Sequence, residues 1–244
     1  MNDDSHISLS QSKIESDILG NTRDLWLQPP VDDRVASALA IFLDGEFFIG
    51  HFDAPATMAR LQREGALPPM WSAYVAGGVR ENRWPENFCN PDFARFVCEE
   101  LLAKLEPKTG ALDERMLTGV SLTGLGAAHA ALTYPEAFSR VLCLSGSFWW
   151  EQGKLPEMVT DFPRSNTAFR LTVGDQESKT QVDHGHGLIQ ELSQITGVRA
   201  MHEALEEHGF NTRYSEYAGG HDAASWRREL PDDLRELWAR GAKR

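Results

Sequence analysis

A serine, a carboxylate and a histidine stand in this chain in an order that permits covalent catalysis. Thr118-Gly119-Val120-Ser121-Leu122-Thr123-Gly124 sets the serine between an apolar run and an Ala-rich helical pattern. A serine hydroxyl is a weak nucleophile at its free pKa. It needs an exposed turn, a neighbouring base and donors for the developing oxyanion. The small Gly119 suits a tight strand-to-helix turn of that kind. Serine is also a favoured N-cap, so the same residue serves equally well to cap a helix beginning at Leu122. Thr123 stands where the G-x-S-x-G pattern has its second glycine, and a β-branched residue there is expected to crowd the turn.

One hundred residues on, Gly219-Gly220-His221-Asp222 puts a histidine on a loop after an apolar run. A loop beyond the strand ends can bring an imidazole within reach of a serine hydroxyl. His51, His129, His202 and His208 fit that role less well, because they fall in another loop or within helical patterns. Val173-Gly174-Asp175-Gln176-Glu177 supplies the acid between them, giving the order serine, acid, histidine found in α/β-hydrolases. Glu177 is preferred to orient His221, with Asp175 as the alternative. A Ser–His dyad with both carboxylates merely solvated is the third arrangement. An oxyanion hole needs two backbone donors. Leu122, directly after the serine, offers one, and Glu46 in the loop Asp44-Gly45-Glu46-Phe47 offers the other.

The elements that must position these residues alternate between strand and helix patterns. Residues 24–28 read as an early strand stopped by Pro29-Pro30, and 38–43 as a strand apolar on both faces. Residues 55–64 have helical spacing, 71–76 strand character, and 79–86 the composition of a loop. A helix pattern from Asp92 carries Phe93, Phe96, Val97, Leu101, Leu102 and Leu105 at helical intervals. Strands follow at 116–120, 140–144 and 169–173, then a helix at 197–207 closed by Gly209 and a strand at 212–217. Such alternation implies an α/β fold with a mostly parallel sheet covered by helices on both faces. Active sites in such folds gather beyond the carboxyl ends of the strands, where Ser121, Glu177 and His221 all fall. Residues 1–17 are polar and without period, and are expected to form a tail that frays or lies across the surface; 18–244 form a single catalytic domain.

The 244 residues are 41% hydrophobic with 36 acidic and 24 basic side chains, a net charge of −12. That balance disfavours nucleic acid or an anionic membrane as a partner. No stretch approaches the roughly 18 to 20 apolar residues of a membrane span, and the first residues lack the pattern of a signal peptide. The chain is expected to be cytoplasmic. Cys89, Cys98 and Cys143 are expected to be buried free thiols. His184-Gly185-His186 lacks Cys, Asp or Glu at ligand spacing, so neither a metal nor another cofactor is expected.

Several segments resemble the enterochelin esterase family, the ferric siderophore hydrolases within the broader esterase D-like group of α/β-hydrolases. The loop 43–48 resembles its oxyanion side, and Arg83-Trp84-Pro85-Glu86-Asn87-Phe88-Cys89-Asn90-Pro91-Asp92-Phe93 the segment after its next strand. Ser145-Gly146-Ser147-Phe148-Trp149-Trp150 and Gly219-Gly220-His221-Asp222 with Trp226-Arg227 resemble two further strand ends of the family. The resemblance runs from about Leu19 to Trp238, and Thr123 departs from it where the family has glycine. Some members carry an additional N-terminal domain, which is not expected here from the roughly 18 residues before the first match. The resemblance implies ester hydrolysis in a catecholate trilactone siderophore, releasing iron inside the cell. General acyl or aryl esters, or siderophore binding without turnover, are the alternatives. Arg80 and Arg83 are the candidate contacts for anionic catecholate oxygens, by virtue of their planar donor forks. Trp149 and Trp150 either wall an aromatic pocket or belong to the core.

Overall fold

Ala38–Leu43 is apolar at every position, and it lies where such a run must, between two parallel neighbours with both faces covered. The computed structural model describes residues 8–78, 80–185 and 187–239, without the side chains of residues 80 and 81. Its first half contains β1 (Ser10–Ser16), β2 (Asn21–Gln28), β3 (Ala38–Leu43), α1 (Gly45–Gly50), α2 (Ala54–Arg63), β4 (Met70–Val75) and α3 (Arg80–Asn87). Next come α4 (Pro91–Arg95), a π-helical stretch Phe96–Leu101, α5 (Leu102–Thr109), β5 (Glu114–Val120), α6 (Leu122–Thr133), β6 (Arg140–Leu144) and α7 (Lys154–Met158). The chain continues with β7 (Ala168–Gly174), a small hairpin β8 (Val182–Asp183) and β9 (Ile189–Gln190), α8 (Gln194–Glu207), β10 (Asn211–Tyr217) and α9 (Ala223–Trp238).

Eight strands form one sheet in the order β1-β2-β4-β3-β5-β6-β7-β10. The pairs β1/β2 and β2/β4 are antiparallel, and the other five are parallel. Alternate residues of β3 serve the two faces. Leu39, Ile41 and Leu43 join a core with Phe93, Phe96, Leu101, Leu125 and Met201 under α4, α5, α6 and α8. Ala38, Ala40 and Phe42 join the opposite core with Phe48, Met58, Leu61, Leu230 and Leu234 under α1, α2 and α9. This is the α/β-hydrolase architecture, and the carboxyl ends of β5, β7 and β10 open on the same side of the sheet.

Three expectations change. Residues 10–16, expected within a tail, form the edge strand β1. Only Ile14 and Ser16 of it are buried, so its order comes from backbone pairing that no apolar period announces. The turn after it is tied to Glu100, which accepts from Ser16 Oγ (2.5 Å), Asp17 N (2.9 Å) and Ile18 N (3.1 Å). The expected loop at 79–86 contains most of helix α3 instead. Its polar residues are spent on tertiary pairs: Glu86 on the buried Arg23 (2.6 Å) and Arg83 on Asp44 (2.5 Å). α8 begins at Gln194, before the expected 197, because Ser193 caps it by accepting from the Thr196 N–H (3.1 Å).

Candidate active site

β5 ends at Val120 and α6 begins at Leu122, so the turn between them is Ser121 alone. Its backbone sits at φ 54°, ψ −118°, a conformation rare for an L residue and found where surrounding structure enforces it. The enforcing contacts are the Ser121 N–H to Leu144 O (2.8 Å) and the Ser147 N–H to Ser121 O (2.9 Å), both tying the turn to the end of β6. The Ser121 side chain makes no capping hydrogen bond to α6. Its Oγ lies 3.0 Å from His221 Nε2 instead, which disposes of the helix-cap alternative. A Cβ on Gly119 would stand 2.1 Å from the Thr123 carbonyl, so only glycine lets the strand pass beneath the helix start.

Thr123 does not crowd the turn. It is buried, and its hydroxyl lies 2.9 Å from Val120 O and 3.0 Å from Val120 N, satisfying the strand end from within the elbow. The close approach falls one residue later. A Cβ on Gly124 would meet Gly146 Cα at 3.0 Å.

His221 stands on the loop between β10 and α9, whose N-cap Asp222 accepts from the Ser225 N–H (2.9 Å). The imidazole Nδ1 lies 2.5 Å from Glu177 Oε2, and the ring meets Trp226 edge-on with centroids 4.7 Å apart. Glu177 is buried just beyond β7. Its Oε1 accepts from the Gly174 N–H (2.8 Å), Ser145 Oγ (2.6 Å) and Tyr217 OH (3.2 Å). Burial pushes the Tyr217 phenol well above its ordinary range, so it acts as a neutral donor. Asp175 is engaged elsewhere: its Oδ1 accepts from the Gly219 N–H (3.0 Å) and braces the loop that carries His221. Of the two acids left open by sequence, the geometry brings Glu177 to the imidazole.

The Leu122 amide is in the first turn of α6, where helical N–H groups have no intrahelical acceptor. Glu46 opens α1 directly after β3, the strand beside β5. Its carboxylate accepts from the Gly77 N–H (3.1 and 3.2 Å), pinning the first turn of α1 to the end of β4. Gly45 is required there, because a Cβ would lie 2.5 Å from the β4 backbone.

Ser121, Leu122, Glu177 and His221 border a cleft of about 690 Å³. Its far wall is aromatic and cationic. Trp149 stacks on His184 (5.0 Å, 6° between planes), Trp84 lies 5.5 Å from the same imidazole, and Arg83 and Lys179 also line the space. Arg83 is held by the buried Asp44 through Nη2 (2.5 Å) and Nε (3.4 Å), while its side chain keeps about a third of its surface exposed. The Arg80 side chain lies outside the described residues. Trp149 therefore belongs to the cleft wall, whereas Trp150 stacks on Phe88 (5.0 Å, 11°). Sequence reasoning missed Ser145, Tyr217, Trp226, Trp84, Lys179 and His184. Ser145, Trp84 and Trp226 lie in segments that carry the family resemblance, and Ser145 and Tyr217 also fall at the carboxyl ends of strands.

The three cysteines are free thiols: Cys143 is buried and Cys89 and Cys98 are half-buried, the latter two pushed up to about 12 by burial. Among the described residues no group of three or more His, Cys, Asp or Glu could hold a metal. His184 is used in stacking, and His186 lies outside the described residues.

Residues 16–237 match the family described as Putative esterase. The chain belongs to this family. Among similar proteins, the iron(III) enterobactin esterase of Dickeya dadantii (strain 3937) is 32% identical over 234 residues, covering 91% of this chain and 53% of that protein. Among solved structures, the enterobactin esterase of Shigella flexneri in the presence of enterobactin superposes with a TM-score of 0.81 at 27% identity, covering 96% of this chain and 59% of that one. An IroE-like serine hydrolase from Shewanella oneidensis gives a TM-score of 0.75 at 19% identity, covering 95% of this chain and 80% of its own, and supports the fold alone. The chain thus spans about half the length of the curated relatives it matches. Among the described residues no helix is long and apolar enough to cross a membrane.

Proposed function

We propose that this chain hydrolyses carboxylic esters through an acyl-enzyme on Ser121, and that its substrate is a catecholate trilactone siderophore. The observation that carries the reaction is the continuous line Glu177 Oε2 to His221 Nδ1 (2.5 Å) and His221 Nε2 to Ser121 Oγ (3.0 Å). Ser121 Oγ attacks the ester carbonyl as its proton passes to His221 Nε2, and Glu177 orients the imidazole and stabilises its charged form. The backbone amides of Leu122 and Glu46 receive the oxyanion, each such donor being worth on the order of 10² to 10³ in rate. His221 then gives its proton to the departing alkoxide. A water deprotonated by His221 releases the acid from Ser121.

The substrate class rests on family membership and on the chemistry of the cleft. Arg83 and Lys179 suit anionic catecholate oxygens, and Trp149, His184 and Trp84 suit aromatic rings. Arg80 is assigned to the same anionic contacts on the resemblance alone. Release of iron from such a ligand inside the cell is the role that the family reading carries with it.

The test is product analysis after incubation with a panel of ferric and iron-free siderophores and simple acyl esters, with Ser121→Ala as control, alongside an active-site organophosphonate. Labelling of Ser121 and Ser121-dependent cleavage of the trilactone are expected. A folded protein that takes no label overturns the mechanism. Cleavage of acyl esters with the trilactone untouched overturns the substrate.

A further inference from the structure

Ser145 directly follows β6 in a fully buried position with φ 47°, one strand over from the nucleophile. Its backbone is fixed from two sides, the N–H donating to Thr172 O (2.7 Å) and the carbonyl accepting from Gln194 Nε2. Around its hydroxyl stand Glu177 Oε1 (2.6 Å), Tyr217 OH (3.1 Å) and Trp226 Nε1 (2.9 Å). An indole N–H can only donate. With Trp226 donating to the Ser145 oxygen, the Ser145 proton is directed onward to Glu177. Tyr217 OH reaches the same carboxylate oxygen, and the Gly174 N–H completes three donors on Oε1. That acceptor-only pattern fits a carboxylate, and it leaves Oε2 free to face His221.

We propose that Ser145 is a positioning residue for the triad acid: the directed chain Trp226 to Ser145 to Glu177 holds the carboxylate aimed at His221. The inference rests on the triad reading above. It explains why a hydroxyl is buried in a left-handed backbone conformation at a strand end, and why Trp226 both donates to Ser145 and packs edge-on against His221. Hydrogen-bonded groups polarise one another in a buried chain, so the link acts as a unit. The other charged and titratable groups about the pair are Asp175 and Lys179 on the same loop, Asp222 at the head of α9, Tyr217 on β10, and Arg83 and His184 across the cleft. Neither Ser145→Ala nor Trp226→Phe alters the charge of any of them.

Removing a donor from Oε1 weakens the anion more when the imidazole is neutral than when it is charged. Protonation of the pair is thereby favoured, and the acid limb of the kcat/KM profile moves to higher pH. Ser145→Ala is expected to move that limb by roughly half a pH unit or more. It is also expected to lower kcat by about 10- to 100-fold, with KM within about twofold. Trp226→Phe, which keeps an aromatic ring and removes the N–H, should shift the limb in the same direction by less. The double variant should go no further than Ser145→Ala, because the indole acts through the serine. Profiles are measured on an acyl ester with folding checked by near-UV circular dichroism. A folded Ser145→Ala whose kcat and limb match the parent overturns the proposal. If Ser145→Ala does not fold, an unmoved limb in both Trp226→Phe and Tyr217→Phe overturns it instead. Cleavage that survives undiminished in Ser121→Ala overturns the triad reading itself. An unmoved limb with Ser121-dependent cleavage overturns only the role of Ser145.

Discussion

At the scale of single residues, Thr123 shows how a departure from a motif can be absorbed. Its side-chain oxygen sits within hydrogen-bond distance of both Val120 N and Val120 O, and the helix residue that packs against Gly146 is the next one, Gly124. Thr123→Gly therefore removes a buried hydrogen-bonding partner and places glycine in the first turn of a helix. It should cost about 1 to 3 kcal/mol, seen as a lower urea midpoint, with no gain in ester turnover. The cations of the cleft allow a second prediction. Lys179 faces the cleft on an exposed loop, whereas Arg83 is partly committed to Asp44. Lys179→Gln should raise KM for an anionic catecholate ester by several-fold more than for an uncharged acyl ester. Added salt should shrink the difference, because exposed charges are screened over about 10 Å at 0.1 M. Equal KM changes for both substrates would remove Lys179 from recognition.

At the scale of elements, α6 does more than follow the turn at Ser121. His129 lies on it about two turns beyond Ser121, buried with its ring edge-on to Phe162, and burial lowers its pKa from 6.5 to about 4. The folded chain thus resists protonation that the unfolded chain accepts between those two values. Stability is complete above pH 6.5 and is lost as pH falls toward 4, by on the order of 2 kcal/mol at pH 4.5. His129→Leu should flatten that part of the stability profile, which denaturant titrations at pH 7 and 4.5 measure. The helix following Asn90 reads correctly from sequence as one apolar stripe, yet a π-helical stretch joins α4 to α5 within it. That stretch places Glu100 under the β1 turn. Loss of the Glu100 carboxylate should speed amide exchange at Asp17 and Ile18, since both donate to it.

Across the whole molecule, an eight-stranded sheet sets its functional groups along one edge because five parallel pairs point the same way. Its antiparallel end is built from β1 and β2, and β1 is the part the sequence concealed. Deleting residues 1–17 would bare the edge of β2 and uncover the surface beneath Ile14. The thermal midpoint should drop, and light scattering should rise as exposed edges pair between molecules. The buried strands, the elbow helix and the order serine, acid, histidine were legible because each rests on a local pattern: continuous apolar runs, small residues at a turn, glycines before a histidine. Helix α3 was not legible, because a proline and a run of polar residues look like a loop until Arg23 and Asp44 are present to pair with them.

The amino-acid order by itself determined the fold class, the serine and histidine, and two candidate acids two residues apart. Local pattern favoured Glu177 without excluding Asp175, and only the tertiary structure separates their surroundings. Their difference is what meets them: the Gly219 amide for one, and Ser145, Tyr217 and His221, brought from the ends of two other strands, β6 and β10, for the other. Local pattern specifies where a chain turns. Which side chains converge at the turn is set by strands that lie far apart in sequence and adjacent in the sheet.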